Sequence, residues 1–89
     1  MIDYLGYQLS VEDKAFLDEL IEFLIHDQTP VVLACNDFSF QVEPYGNRLE
    51  VWRLGSMINR FDNIEELFLN FKINGKPFIE VVSDIEYSN

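Results

Sequence analysis

Hydrophobic positions along this chain follow two periods, and the clearest stretch is VVLACNDFSFQV, Val31–Val42, where they alternate. Alternation is the period of a strand, whose successive side chains point to opposite faces. Asn36-Asp37 separates two such runs, and both residue types tolerate positive φ and bond their own backbone, as a tight turn requires. A hairpin closed there sets Cys35 against Phe38, Leu33 against Phe40 and Val31 against Val42. All six are apolar and share one face, while Val32, Ala34, Ser39 and Gln41 take the other. A slip of one residue would exchange the faces, so the pattern specifies its own register.

Two further strands follow. Glu43-Pro44-Tyr45-Gly46-Asn47-Arg48 has turn chemistry, with Pro fixing φ and Gly-Asn accepting positive φ. A loop over 44–47 pairs Glu43 with Arg48 and Val42 with Leu49. The third strand then runs Leu49–Leu54, Gly55-Ser56 turns the chain, and the fourth strand runs Met57–Phe61. This register places Leu49, Val51 and Ile58 on the core face, with Glu50, Trp52, Leu54, Met57 and Asn59 opposite. Arg53 and Arg60 also point coreward, which is tolerable at the sheet margin where their stems can snorkel. A bulge would reverse the parity and bury Trp52.

On either side the period changes to that of a helix. Phe16, Leu17, Leu20, Ile21, Leu24 and Ile25 recur at three- and four-residue spacing, with Glu12, Asp18, Glu19 and Glu22 mostly opposite. Ser10 is the expected N-cap with Asp13 at N3, and Pro30 sets the far limit. A second helix opens with Asp62 as N-cap and Glu65 at N3. Its stripe is Ile64, Leu67, Phe68 and Phe71, and Asn74-Gly75 ends it. Pro77 suits the first position of a third, short helix with Phe78, Val81, Val82 and Ile85 on its apolar side. Residues 1–9 fit either an extended arm or an edge strand, and the tail Glu86-Tyr87-Ser88-Asn89 is expected to fray. The expected fold is one α+β domain over residues 1–89: an N-terminal helix, a four-stranded antiparallel meander, and two C-terminal helices packed on one sheet face.

Composition sharpens this picture mainly through charge. Sixteen acids against six bases give a net charge of −10. Such a balance repels nucleic acid and anionic membranes, so direct binding of either is not expected. The acids cluster before and after the strands. Residues 30–61 balance Asp37, Glu43 and Glu50 with Arg48, Arg53 and Arg60. A single cysteine leaves no internal disulfide, and no leader-like segment or apolar run of about 20 residues appears, which together imply a soluble cytoplasmic protein.

Signals for chemistry are sparse. His26 is the one histidine and Cys35 the one cysteine, but Cys35 falls on the apolar hairpin face, where thiols are usually inert. Asp18-Glu19, Glu65-Glu66 and Asp84/Glu86 read as capping or solvated acids rather than an acid–base pair in a cleft. The glycines form no phosphate-cradling cluster, so no cofactor or metal is expected, and neither is an enzymatic role. A protein–protein surface remains. Hot spots combine aromatic anchors with charges that desolvate. That criterion selects Glu43, Tyr45, Glu50 and Trp52 as the centre of a partner site, with Asp84, Glu86 and Tyr87 as an extension.

From Phe38 to Asp84 the chain resembles small acidic immunity proteins encoded beside bacterial polymorphic or contact-dependent toxins. The resemblance rests on FQVEPYGNRLEVW and INRFDNIEELFLNFKINGKPFIE. It implies a non-enzymatic inhibitor that binds one cognate toxin, often a basic nuclease, and covers its active site. Two other roles fit an acidic binding surface: a phage-encoded mimic of nucleic acid that blocks a defence nuclease, and an adaptor subunit of a housekeeping complex.

Overall fold

The computed structural model describes residues 1–88, so the expectation for Asn89 lies outside the described residues. The architecture is α+β, but its sheet and C-terminal half differ from the expectation. The main sheet has five strands in the order β6-β5-β4-β3-β9. In chain order these are β3 (Val31–Cys35), β4 (Phe38–Tyr45), β5 (Arg48–Arg53), β6 (Ser56–Phe61) and β9 (Ile85–Tyr87). A four-stranded meander is therefore incorrect: the expected frayed tail returns as β9 and pairs antiparallel with β3, Cys35 opposite Ile85 and Leu33 opposite Tyr87.

The β3–β4 hairpin has the register read from its alternation, Val31 with Val42, Leu33 with Phe40 and Cys35 with Phe38. Asn36 supplies the turn's positive φ of 55°. The β4–β5 loop is shorter than expected. Val42 pairs with Val51 and Tyr45 with Arg48, leaving Gly46-Asn47 as the turn. The error is two residues, so the faces survive, and Leu49 and Val51 are fully buried. Pro44 lies past the last β3 pair, where β4 has only β5 beside it, so its missing N–H breaks no ladder on the β3 side.

Between β5 and β6 the turn is Leu54-Gly55, not Gly55-Ser56, with positive φ at both positions. Trp52 pairs with Met57 but Val51 with Asn59, so Ile58 is the extra residue of a bulge. The bulge corrects three assignments. Ile58 is 41% exposed rather than in the core. Arg60 comes opposite Glu50 on the far face, and Asn59 comes opposite Val51. Arg53 stays at the core-side margin, its guanidinium 4.6 Å over the Phe38 ring.

Helix α1 (Val11–Ile21) begins as expected, with the Ser10 side chain accepting from the Asp13 backbone N–H. Its last turn widens into a π-helical turn, Glu22–His26, and Gln28 then takes a left-handed φ of 54°. The helix thus ends before Pro30 can act. Leu17, Leu20 and Leu24 are buried, and Phe16, Ile21 and Ile25 are half-buried. Helix α2 (Ile64–Asn70) is capped one residue later than expected, by Asn63, whose side chain accepts from Glu66 N–H. The Glu66 carboxylate accepts from Asp62 N–H, completing the capping box. The stripe Ile64, Leu67, Phe68 and Phe71 is buried.

Beyond α2 the chain makes a small hairpin, β7 (Lys72–Ile73) and β8 (Lys76–Pro77), around Asn74-Gly75. Two 3-10 turns, joined across a kink at Val81 within Phe78–Asp84, replace the expected third α-helix. Pro77 caps the first in extended geometry instead of lying within it. The N-terminal residues form a separate hairpin, β1 (Ile2–Tyr4) and β2 (Tyr7–Leu9). All helices contribute to one core with Leu33, Phe40, Val42, Leu49 and Val51. Phe40 sits at its centre, 5.2 Å from the Phe71 ring and 6.4 Å from Phe78.

Candidate functional site

Because the helices pack on one face, the other face of the five-stranded sheet is left uncovered. Alternation places Val32 and Ala34 of β3, Ser39, Gln41, Glu43 and Tyr45 of β4, Glu50 and Trp52 of β5, and Glu86 of β9 there. A shallow groove of about 260 Å³ crosses it between Val32, Gln41, Glu43, Trp52 and Leu54. Trp52 is half-buried, and its indole N–H donates to Glu50 Oε1 at 3.0 Å. The bond fixes the ring against the sheet and takes one carboxylate oxygen of Glu50 away from solvent.

Glu43 and Glu50 are direct cross-strand neighbours. Arg60 stands opposite Glu50 on β6, and Arg48 opposite Tyr45, so cations share the face. Neither forms an ion pair with these carboxylates. Among the described residues Lys14 and Asp18 form an ion pair at 2.7 Å and His26 Nδ1 lies 2.6 Å from Glu22 Oε2, both on α1 and its last turn. The two glutamates are therefore a like-charge pair of the kind that disfavours the strand pairing it sits on. Tyr45, 51% exposed, responds to that charge: Glu43, with desolvation and Glu50 behind it, holds its phenol above the ordinary value.

The four central residues singled out in the sequence thus lie together, and Glu86 joins the same face from the β9 edge, opposite Ala34. The extension does not stay together. Tyr87 pairs with Leu33, on the helix-covered face. Its ring packs 5.3 Å from Phe16 and 6.1 Å from Phe23, and its hydroxyl donates to Glu19 at 2.7 Å. Burial and that bond raise its pKa strongly. Asp84 precedes β9 at the end of the second 3-10 turn, where its charge adds to burial in pushing the Cys35 thiol up. A protonated, 3% exposed Cys35 is a core residue, not a nucleophile.

Two residues of the site were not singled out in the sequence. Gln28 locks the β4–β5 turn to the end of α1: its amide N–H donates to Gly46 O, and its carbonyl accepts from Gly46 N–H, both at 2.9 Å. The same nitrogen also donates to the carbonyls of Leu24 and Ile25. The clamp immobilises the turn that carries Tyr45, and no local pattern announces it because the partners are eighteen residues apart. Leu54 is 91% exposed at the rim of the groove, with a left-handed φ of 53° that costs a leucine about 1 kcal/mol. The dipeptide Leu54-Gly55 carries the signal, since an X-Gly turn between two strands needs positive φ at both positions.

No family model, curated protein or solved structure matches this chain. No helix among the described residues is long and apolar enough to cross a membrane.

Proposed function

We propose that this protein is a stoichiometric inhibitor of the immunity type, binding a basic toxin of a bacterial cell and covering its active site. The observation that carries the reading is the Glu43–Glu50 pair, two carboxylates opposite one another on an uncovered face, flanked by Trp52 and Tyr45 and unpaired with any arginine. A partner lysine or arginine set between them replaces a repulsion by two charge-assisted hydrogen bonds. Trp52 and Tyr45 supply aromatic area of the kind that dominates interface hot spots. The net charge of −10 adds long-range attraction for a basic partner. A nuclease fits because a surface that holds a phosphate backbone is itself basic. On this reading the protein makes and breaks no bond, and inhibition lasts as long as the complex.

Co-expression with the product of the neighbouring reading frame tests the proposal, with growth and complex formation as readouts. The expected result is rescue of growth and a 1:1 complex. Its association rate falls steeply between roughly 0.01 M and 0.15 M salt, as the Debye length shrinks from about 30 Å to about 8 Å, while dissociation changes little. No complex with that product, or an association rate indifferent to salt, removes the reading.

A further inference from the structure

A second concavity lies away from the open sheet face, where the N-terminal hairpin, α1 and the start of α2 meet. It is a groove of about 760 Å³, nearly three times the volume of the one on the sheet. Its walls are aliphatic: Leu5, Ile21 and Ile25 are half-buried and Ile64 is buried. Its rim is acidic, formed by the exposed carboxylates Asp62 and Glu65. The α1 stripe read from the sequence explains the walls, because Ile21 and Ile25 belong to it but no element among the described residues finishes covering them. Neither carboxylate joins an ion pair among the described residues.

The charge of the missing cover is indicated at one end of the groove. There Tyr4 carries Lys14 over its ring, 4.9 Å from the centroid, with Asp18 holding the ammonium at 2.7 Å. Burial, and behind it the negative charges of Glu65 and Asp18, raise the Tyr4 phenol's pKa. Lys14, the cation over Tyr4, is committed to Asp18, and Asp62 and Glu65 have no ion-pair partner among the described residues. A single cationic side chain would fill only part of the volume and leave the half-buried Ile21 and Ile25 wet. An occupant with both apolar and basic side chains satisfies walls and rim together. We infer that this groove receives an amphipathic, lysine- or arginine-bearing segment of a protein partner, its apolar side chains on Leu5, Ile21, Ile25 and Ile64 and its bases on Asp62 and Glu65.

The inference goes beyond the sheet-face reading and does not depend on it. Asn47 lines the groove and Tyr45 stands two residues away on the sheet face, so the clamped β4–β5 turn separates the two sites. One partner that straddles the turn can engage both, yet either site binds if the other is silent.

Amide chemical-shift mapping on the isotope-labelled full chain tests it, with the capped tetrapeptide acetyl-Leu-Arg-Ile-Lys-amide as probe. Controls are the same peptide with glutamine for both bases, and spermidine as a cation without apolar side chains. Expected are saturable shifts at Leu5, Ile21, Ile25 and residues 62–65, weak or absent with either control. The double variant Asp62→Asn, Glu65→Gln should weaken the peptide roughly five- to tenfold, the scale of two exposed charge contacts. Equal shifts from the glutamine peptide would reduce the groove to an apolar patch, and equal shifts from spermidine would make it a polyamine site; either overturns the inference. So does mapping of the probe to Val32, Gln41 and Trp52, which would support the sheet face and leave the groove empty of function.

Discussion

The two faces of the five-stranded sheet are built from the same strands and end in opposite states. Leu33, Phe40, Val42, Leu49 and Val51 on one face are 0–2% exposed beneath the helices. Their neighbours Val32, Gln41, Glu43, Glu50 and Trp52 have no element over them among the described residues, and Val32 remains 42% exposed. The first face closes because every helix brings an apolar stripe to it. The second keeps a half-buried tryptophan, two adjacent carboxylates and a leucine in costly backbone geometry, features that add nothing to a closed core. The contrast separates residues that make the fold from residues free to do something else.

The sharpest way to break that contrast is to exchange the consequences of truncation on the two faces. Phe40→Ala removes a ring in contact with Phe71 and Phe78 and should cost about 3–5 kcal/mol in urea denaturation, most of a marginal domain's stability. A loss below about 1 kcal/mol, the scale of surface substitutions, would contradict the central placement of Phe40. Trp52→Ala on the other face should cost far less in stability but weaken partner binding by about 2 kcal/mol or more. Loss of the fold on the scale of Phe40→Ala would place Trp52 with the core.

Next in size is the device that holds the open face's edge in place. Gln28→Ala removes both amide bonds to Gly46 and those to the Leu24 and Ile25 carbonyls, and should lower stability by about 1 kcal/mol, since exposed hydrogen bonds contribute modestly. It should also broaden or shift the amide resonances of residues 45–48 in preference to those of the core. Unchanged turn resonances would mean that the clamp does not set the turn's geometry.

The smallest expected effect concerns Tyr87, which ties β9 to α1 on the covered face. Its pKa is raised in the fold, so the phenol is protonated in both folded and unfolded chains below about pH 10. Above that the unfolded chain ionises first, and stability falls as pH rises because only the folded chain still holds the proton. Tyr87→Phe should flatten the stability–pH curve above pH 10, roughly the model phenol value, and leave it parallel below. Superimposable slopes above that pH would contradict the Tyr87–Glu19 bond.

The hairpin was legible because three signals coincided: apolar alternation on both arms, a turn dipeptide between them, and a register that only one parity satisfies. The β4–β5 loop was misread by two residues without harm, since a period of two returns every side chain to its face. At Ile58 a single-residue bulge moved the side chains around it, and nothing local marks which strand will carry the bulge. The α2 cap was displaced by one because Asp62 and Asn63 both cap well and Glu65 and Glu66 both follow three residues later. Strand β9 was missed for a different reason. Ile85–Tyr87 is three residues long, and its pairing depends on β3 offering a free edge, a tertiary fact with no local trace. The same miss split the candidate site. Glu43, Tyr45, Glu50 and Trp52 were grouped by parity within adjacent strands, whereas Glu86 and Tyr87, adjacent in sequence, point to opposite faces once β9 forms.

If the open face exists to meet a basic partner, its like-charge pair is a cost the free protein carries for binding. Glu43→Gln measures this directly, because Gln keeps nearly the same shape and it is Glu50, not the half-buried Glu43, that accepts the indole hydrogen bond. Chemical denaturation of the free variant and calorimetric titration with the partner give the two numbers. The expected result is stability unchanged or higher by up to about 0.5 kcal/mol, as cross-strand repulsion is relieved, together with binding weaker by roughly tenfold. Affinity within about twofold of the parent, a difference under about 0.5 kcal/mol, would show that the face does not carry the contact.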